Sequence, residues 1–183
     1  PEKIRVLSEL CDGIDYAHRQ EIIHRDLKPG NILVNREGRV QIIDFGLAKK
    51  LSGLRTAITG EQLIGTPLYM SPEQLLGDAS SAGPRSDIYA IGSVMYELLT
   101  DRKPFTADTL FDLMQKVEST EPQAPTEHVA DLPSAVDEIC LRCLAKDPQK
   151  RYASAGEVAN ALRAIEVGSP HSAARSEEHT SEL

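Results

Sequence analysis

Apolar positions Ile4, Leu7, Leu10, Cys11, Ile14 and Ala17 recur at the spacing of one helical face, which predicts an amphipathic helix over residues 2–19. Gly13 falls inside that helix, where glycine costs roughly 1 kcal/mol relative to alanine, so packing must outweigh the loss. The pattern then changes period. Residues 31–35 and 39–43 are short runs rich in β-branched residues, separated by Arg36, Glu37 and Gly38. That predicts a hairpin, with Gly38 at the left-handed turn position. Residues 44–70 carry no periodicity and are rich in Gly, Thr and Ser, the mark of a long loop. The loop ends at Ser71-Pro72-Glu73-Gln74, where Ser71 can cap a helix, Pro72 suits its first position and Gln74 can reach back.

Residues 86–100 are apolar on nearly every face, so this helix belongs in the centre of a helical core. Amphipathic patterns near 109–118, 134–146 and 154–166 predict three more helices, two opened by the capping boxes Ser134/Asp137 and Ser154/Glu157. Residues 119–132 read as a proline-containing connector, and no internal repeat is visible. The predicted fold class is mainly α, with one small hairpin and one long loop near the front.

Composition narrows the partners. The 183 residues are 40% hydrophobic and 26% charged, ordinary for a globular domain, and with aromatics at 4% and no Trp the core must be aliphatic. A net charge of -8 repels phosphate backbones, which argues against nucleic acid and anionic membrane as partners. No apolar run approaches the about 20 residues that span a bilayer, so membrane contact is expected only through segments outside this chain. Of the three cysteines, Cys140 and Cys143 form a CxxC inside an apolar helical run, which reads as core filling in a reducing, cytoplasmic setting.

Three motifs carry the chemistry: His24-Arg25-Asp26-Leu27-Lys28-Pro29-Gly30-Asn31, then Asp44-Phe45-Gly46, then Gly65-Thr66-Pro67-Leu68-Tyr69-Met70-Ser71-Pro72-Glu73. Each alone is weak, since a lone Asp-Phe-Gly is usually a turn. In this order and at these separations they resemble the catalytic loop, metal-binding motif and substrate loop of protein kinases. The resemblance implies a kinase large lobe over residues 1–166, with ATP and Mg2+ as cofactors and protein Ser or Thr hydroxyls as acceptors. Lys28-Pro29-Gly30-Asn31 is similar to the Ser/Thr class, and the wording of the region resembles bacterial eukaryotic-like Ser/Thr kinases.

The roles implied by the resemblance fit the residue types. Phosphoryl transfer needs a positioned hydroxyl and neutralised charge. Asp26 would accept the hydroxyl proton, Lys28 would meet the γ-phosphate, and Asn31 with Asp44 would supply hard oxygens to magnesium. Lys28 and Asp44 thus also touch the nucleotide, and Leu33 would lie under the adenine ring. Thr66 resembles the loop threonine that ties Asp26 to Lys28. Asp87 resembles the residue holding the catalytic-loop backbone, and Glu73 would pair with Arg151. His24 and Phe45 resemble members of an internal apolar column, with Gly46 closing the metal motif. Ser71 departs from the Ala common in the family. Arg25 beside Asp26 implies activation by loop phosphorylation, with Arg25 and Lys49 as the phosphate pocket and Thr59, Thr56 and Ser52 as acceptors.

Two rivals stay in view. A pseudokinase scaffold usually loses Asp26, Asn31 or Asp44, and a small-molecule phosphotransferase would lack the Gly65–Glu73 segment and Arg151. The small lobe's Gly-rich loop, strand Lys and helix Glu are not seen ahead of Pro1, so the expectation is a large-lobe fragment, inactive by itself. Residues 167–174 are expected to be a linker. Residues 175–183 resemble the translation of a sequencing adapter or form a natural polar tail. Substrate identity and oligomeric state are left open, and the setting is cytoplasmic, or the cytoplasmic side of a membrane-anchored whole.

Overall fold

The computed structural model describes residues 2–45, 66–77 and 82–168. The chain begins with helix α1 (Glu2–Arg19), followed by a 3-10 turn at Pro29–Asn31 and the antiparallel strands β1 (Ile32–Val34) and β2 (Val40–Ile42). After a second 3-10 turn at Thr66–Tyr69 come α2 (Pro72–Leu76), α3 (Pro84–Thr100), α4 (Leu110–Ser119), α5 (Pro125–His128), α6 (Ala135–Cys143) and α7 (Ala155–Gly168). This is the mostly helical architecture expected, with the hairpin in place. Of the expected linker and tail, residues 169–183 lie outside the described residues. Among the described residues, no helix is long and apolar enough to cross a membrane.

The core is built around α3. Ile88, Tyr89, Ile91, Met95 and Tyr96 are buried, and so are the small residues between them. Gly92 explains how α6 comes so near: a Cβ there would stand 2.7 Å from the Cβ of Cys143. Cys11, Cys140 and Cys143 are free and buried, and burial foremost pushes all three thiols up, so they fill space, as their helical setting implied.

The stripe Leu7, Leu10, Cys11, Ile14 and Ala17 turns α1 inward, as its periodicity predicted. Gly13 now has its reason. It forms a notch that receives Ile42 of β2, whose Cδ1 would lie 2.8 Å from an added Cβ. The buried Asp15 accepts a hydrogen bond from the Gly156 amide at 2.9 Å, capping α7 from α1.

Two local expectations need correction. The Ser134/Asp137 capping box does not form, because Ser134 has helical dihedrals and the Asp137 carboxylate instead accepts from the Thr126 amide at 3.0 Å. That bond belongs to α5, a turn of helix inside the stretch read as a connector. Pro125 at its first position and Glu127, which accepts from the Ala124 amide at 3.0 Å, were its available signals. The second box is partly formed: Ser154 Oγ accepts from the Glu157 amide at 3.2 Å, while Glu157 reaches past Ser154 to the Ala153 amide at 3.0 Å.

Candidate active site

The hairpin is the frame of the site. Its register pairs Ile32 with Ile42, Leu33 with Gln41 and Val34 with Val40. Gly38 turns the tip at φ +76°, a conformation that favours glycine. Helix α1 holds that tip: Arg5 Nη1 donates to the Gly38 carbonyl at 3.0 Å, and Glu9 accepts from the Val40 amide at 3.1 Å. At the open end the Ile43 amide donates to the Asn31 carbonyl at 3.0 Å, so Asp44 follows directly after the pair that Asn31 begins. Asn31 and Asp44 thus flank the base of the ribbon, as the sequence predicted.

Residues of the His24–Asn31 motif meet at that base. Asp26 is buried, and its Oδ2 lies 3.0 Å from Lys28 Nζ. Asn31 Nδ2 donates to the Asp26 carbonyl at 2.8 Å, with Asp26 Oδ2 at 3.5 Å from the same nitrogen. With the amide nitrogen committed to that carbonyl, Asn31 Oδ1 is the atom left to ligate. Asn31 Oδ1 and the exposed Asp44 carboxylate are the hard oxygens at the two sides of this end of the ribbon.

His24 joins the loop to the residue before Asp44. Its Nδ1 accepts from the Asp26 amide at 3.3 Å, which leaves the proton on Nε2, and Nε2 donates to the Ile43 carbonyl at 3.0 Å. Its ring also packs on Phe45 with centroids 4.8 Å apart. Arg25 has φ +65° and Asp44 φ +56°, both in the left-handed region that non-glycine residues seldom adopt. The Arg25 conformation is held by Asp87, which accepts from the Arg25 amide on Oδ1 and the His24 amide on Oδ2, each at 2.8 Å.

The segment that closes the long loop is anchored at two points. Glu73 and Arg151 form a bidentate ion pair of 2.7 and 2.9 Å, and Ser86 Oγ donates to Glu73 Oε1 at 2.7 Å. Burial pushes the Glu73 carboxyl up, but the Arg151 hydrogen bonds and charge, with Ser86 adding, bring it below the ordinary carboxylate value. Gln74 Nε2 donates to the Arg25 carbonyl at 3.0 Å, and Gln74 Oε1 accepts from the Ser71 amide at 3.1 Å. Ser71 Oγ donates to the same Gln74 oxygen, so of the expected cap it is the Gln74 return that forms.

Leu33 stands 47% exposed beside the half-exposed Val34, an open apolar edge next to the charged base. The Arg25 side chain is exposed. Gly46, Lys49, Ser52, Thr56 and Thr59 lie outside the described residues, and of Thr66 only the backbone is described. The sequence reading missed two features. Tyr69 Oη donates to Glu97 at 2.5 Å, and Glu97 also pairs with Lys103 at 3.2 Å. His18 Nε2 lies 2.8 Å from Asp87 Oδ2; its signal was a polar residue on the buried stripe of α1, one turn after Ile14.

Comparison with known proteins agrees with this geometry. Residues 2–162 match the family model for the protein kinase domain. The chain is 42% identical over 154 residues to the probable serine/threonine-protein kinase PknB of Bifidobacterium longum, covering 84% of this chain and 22% of that protein. It is 36% identical over 168 residues to the serine/threonine-protein kinase PknB of Mycobacterium tuberculosis, covering 91% and 26%. With the corresponding protein of Mycobacterium leprae the identity is 33% over 169 residues, covering 92% and 27%. The chain therefore spans about a quarter of the length of these relatives.

Proposed function

The chain belongs to the protein kinase family, and from that premise we propose that the whole protein transfers the γ-phosphoryl group of ATP to Ser and Thr hydroxyls of proteins. The observation that carries this reading is the base of the hairpin, where Asp26, Lys28 and Asn31 are bonded together beside Asp44. Asp26 orients the acceptor hydroxyl and takes its proton as the new oxygen–phosphorus bond forms and ADP departs. Lys28, bridged to Asp26, is a compact cation for the transferring phosphoryl group. Asn31 Oδ1 and Asp44 would hold Mg2+, which supplies charge neutralisation on the phosphates when bound. Leu33 offers its exposed side chain to the adenine, and Arg25 with Lys49 would receive a phosphate placed on Thr59, Thr56 or Ser52. The substrates are proteins, met on the cytoplasmic side.

The kinase reading is favoured over a scaffold because Asp26, Asn31 and Asp44, of which a scaffold usually loses one, are all retained. The test is γ-phosphoryl transfer to a Ser/Thr protein substrate by the whole kinase, alongside Asp26→Asn and Asp44→Ala. Both variants are expected to lose activity by at least about a hundredfold while their circular dichroism stays unchanged. Undiminished transfer by either variant refutes the assignment.

A further inference from the structure

Gln74 stands at the third position of α2 and serves two partners with one amide. Its Oε1 accepts from the Ser71 amide and from Ser71 Oγ, both at 3.1 Å, and its Nε2 donates to the Arg25 carbonyl at 3.0 Å. The partners fix which end of the amide is which. The Ser71 N–H can only donate and the Arg25 carbonyl can only accept, so the oxygen faces Ser71 and the nitrogen faces Arg25. Ser71 is fully buried, and its hydroxyl adds a second donor to that lock.

Capping alone does not explain this residue type. A capping box takes Glu or Gln at the third helical position, and near a helix N-terminus the macrodipole favours the charge. A glutamate here would turn an oxygen toward the Arg25 carbonyl, lone pair against lone pair. The amide lets one side chain cap α2 and grip Arg25 together. Its platform is firm, because the neighbouring Glu73 fastens α2 to Arg151.

What Gln74 grips is the peptide unit leading into Asp26. The carbonyl of that unit belongs to Arg25, and among the described residues Gln74 is the one group seen bonded to it. The N–H belongs to Asp26 and donates to His24 Nδ1 at 3.3 Å, a longer bond made within the same motif. Arg25 sits at φ +65°, a conformation that persists only when its surroundings over-determine it, so this peptide plane needs outside support. The Gln74 bond supplies it from 49 residues along the chain, out of the helix that follows the Thr66–Tyr69 turn.

We propose that Gln74 is a positioning residue for phosphoryl transfer, holding the Arg25–Asp26 peptide by the Arg25 carbonyl and thereby tying the aim of the Asp26 carboxylate to the seating of α2. The inference rests on the kinase reading above for its catalytic part and on geometry alone for its backbone part. The side chain bonds to Ser71 and Arg25, so deleting its donor moves kcat and spares nucleotide binding.

The test uses the full-length kinase with Gln74→Glu, which keeps the acceptor for Ser71 and deletes the donor to Arg25, and Gln74→Met, which keeps the length and deletes both. In the glutamate variant the denaturation midpoint and the exchange of the α2 amides are expected to match wild type. Its amide exchange at Asp26 should quicken about tenfold, and its kcat should fall about tenfold with the KM for ATP unaltered. The methionine variant should show the same two effects together with a lower midpoint. Wild-type exchange at Asp26 or wild-type kcat in the glutamate variant overturns the proposal. So does a loss of kcat that follows the midpoint across the two variants, which is what a helix cap and nothing more would give. Should wild-type enzyme transfer no phosphate, the kinase reading fails, while the Asp26 exchange and the midpoints still decide whether Gln74 holds the peptide.

Discussion

Arg151 and Glu73, separated by 78 residues in sequence, meet as a bidentate ion pair in which the arginine side chain is wholly buried. Every arm of the guanidinium is used: Nε donates to the Ala145 carbonyl at 2.7 Å, Nη1 to the Arg85 carbonyl at 2.9 Å and Nη2 to the Lys146 carbonyl at 3.1 Å. One side chain therefore ties α2, the start of α3 and the segment after α6 into one body.

Removing either partner strands the other. Arg151→Ala is expected to destabilise by about 3–5 kcal/mol in chemical denaturation, and Arg151→Lys to rescue little, because an ammonium cannot reproduce the fork. The pH dependence has a fixed sign. Glu73 has its folded pKa lowered from 4.5, so its stabilisation is full above that value and is lost as pH falls through the folded pKa. Glu73→Gln should flatten that acid limb, and an acid limb equal to wild type would refute the linkage.

Lys146 presents the opposite case. Its ammonium sits 4.2 Å over the Phe105 ring, and burial, with the nearby Arg151 charge adding and Glu121 opposing, lowers its pKa from 10.5 to about 8. Below about pH 8 both folded and unfolded chains carry the proton, and the full penalty of burying it applies. Between pH 8 and 10.5 the unfolded chain binds more protons, so stability rises with pH across that window. Lys146→Met, which keeps the stem and drops the charge, should stabilise at neutral pH by about 1–2 kcal/mol after allowing for solvent screening and the lost ring contact. It should also remove the rise between pH 8 and 10.5, and thermal melts across that range check both.

Gly92 separates helix propensity from packing. Alanine is the better helix former by about 1 kcal/mol, yet its methyl would meet the Cys143 Cβ at 2.7 Å and Leu144 Cγ at 3.1 Å. A Cβ close to the backbone cannot rotate away, so α3 and α6 must part. Gly92→Ala is expected to destabilise by about 1–3 kcal/mol, read as a lower denaturation midpoint, and a stabilised variant would contradict the close approach.

These sites mark where sequence reasoning carried and where it stopped. The inward stripe of α1, the fully apolar α3 and the Gly38 hairpin were legible because each is a periodicity or a backbone requirement written in neighbouring residues. Asp26, Asn31 and Asp44 stood out through ordered motifs, and the ribbon sets Asn31, bonded to Asp26, and Asp44 at its two ends. His18, Asp15 and Lys146 were not, since each acts on a partner far along the chain: Asp87, the Gly156 amide and the Phe105 ring. The Ser134 cap failed for a related reason, because Thr126 drew the Asp137 side chain to α5. Tertiary partners decide such residues, and local pattern holds no record of them.

Tyr69 joins the 3-10 turn at Thr66–Tyr69 to the core helix α3. Its hydroxyl donates to Glu97 of α3 at 2.5 Å, and Lys103 Nζ pairs with the other Glu97 oxygen at 3.2 Å. Burial foremost, then the hydrogen bond and charge of Glu97, push the phenol well above its ordinary value, so it remains a donor at neutral pH. Tyr69→Phe keeps the buried ring and deletes only the donor, leaving Glu97 to Lys103. The expected stability loss is about 1–2 kcal/mol, since the bond is to a charged acceptor. Under the kinase reading the Tyr69 segment contacts the protein substrate and not the nucleotide. The KM for protein should therefore rise several-fold with the KM for ATP unchanged. Equal shifts in both constants would show that the bond supports the fold as a whole, and no shift in either would show that the latch plays no part in docking.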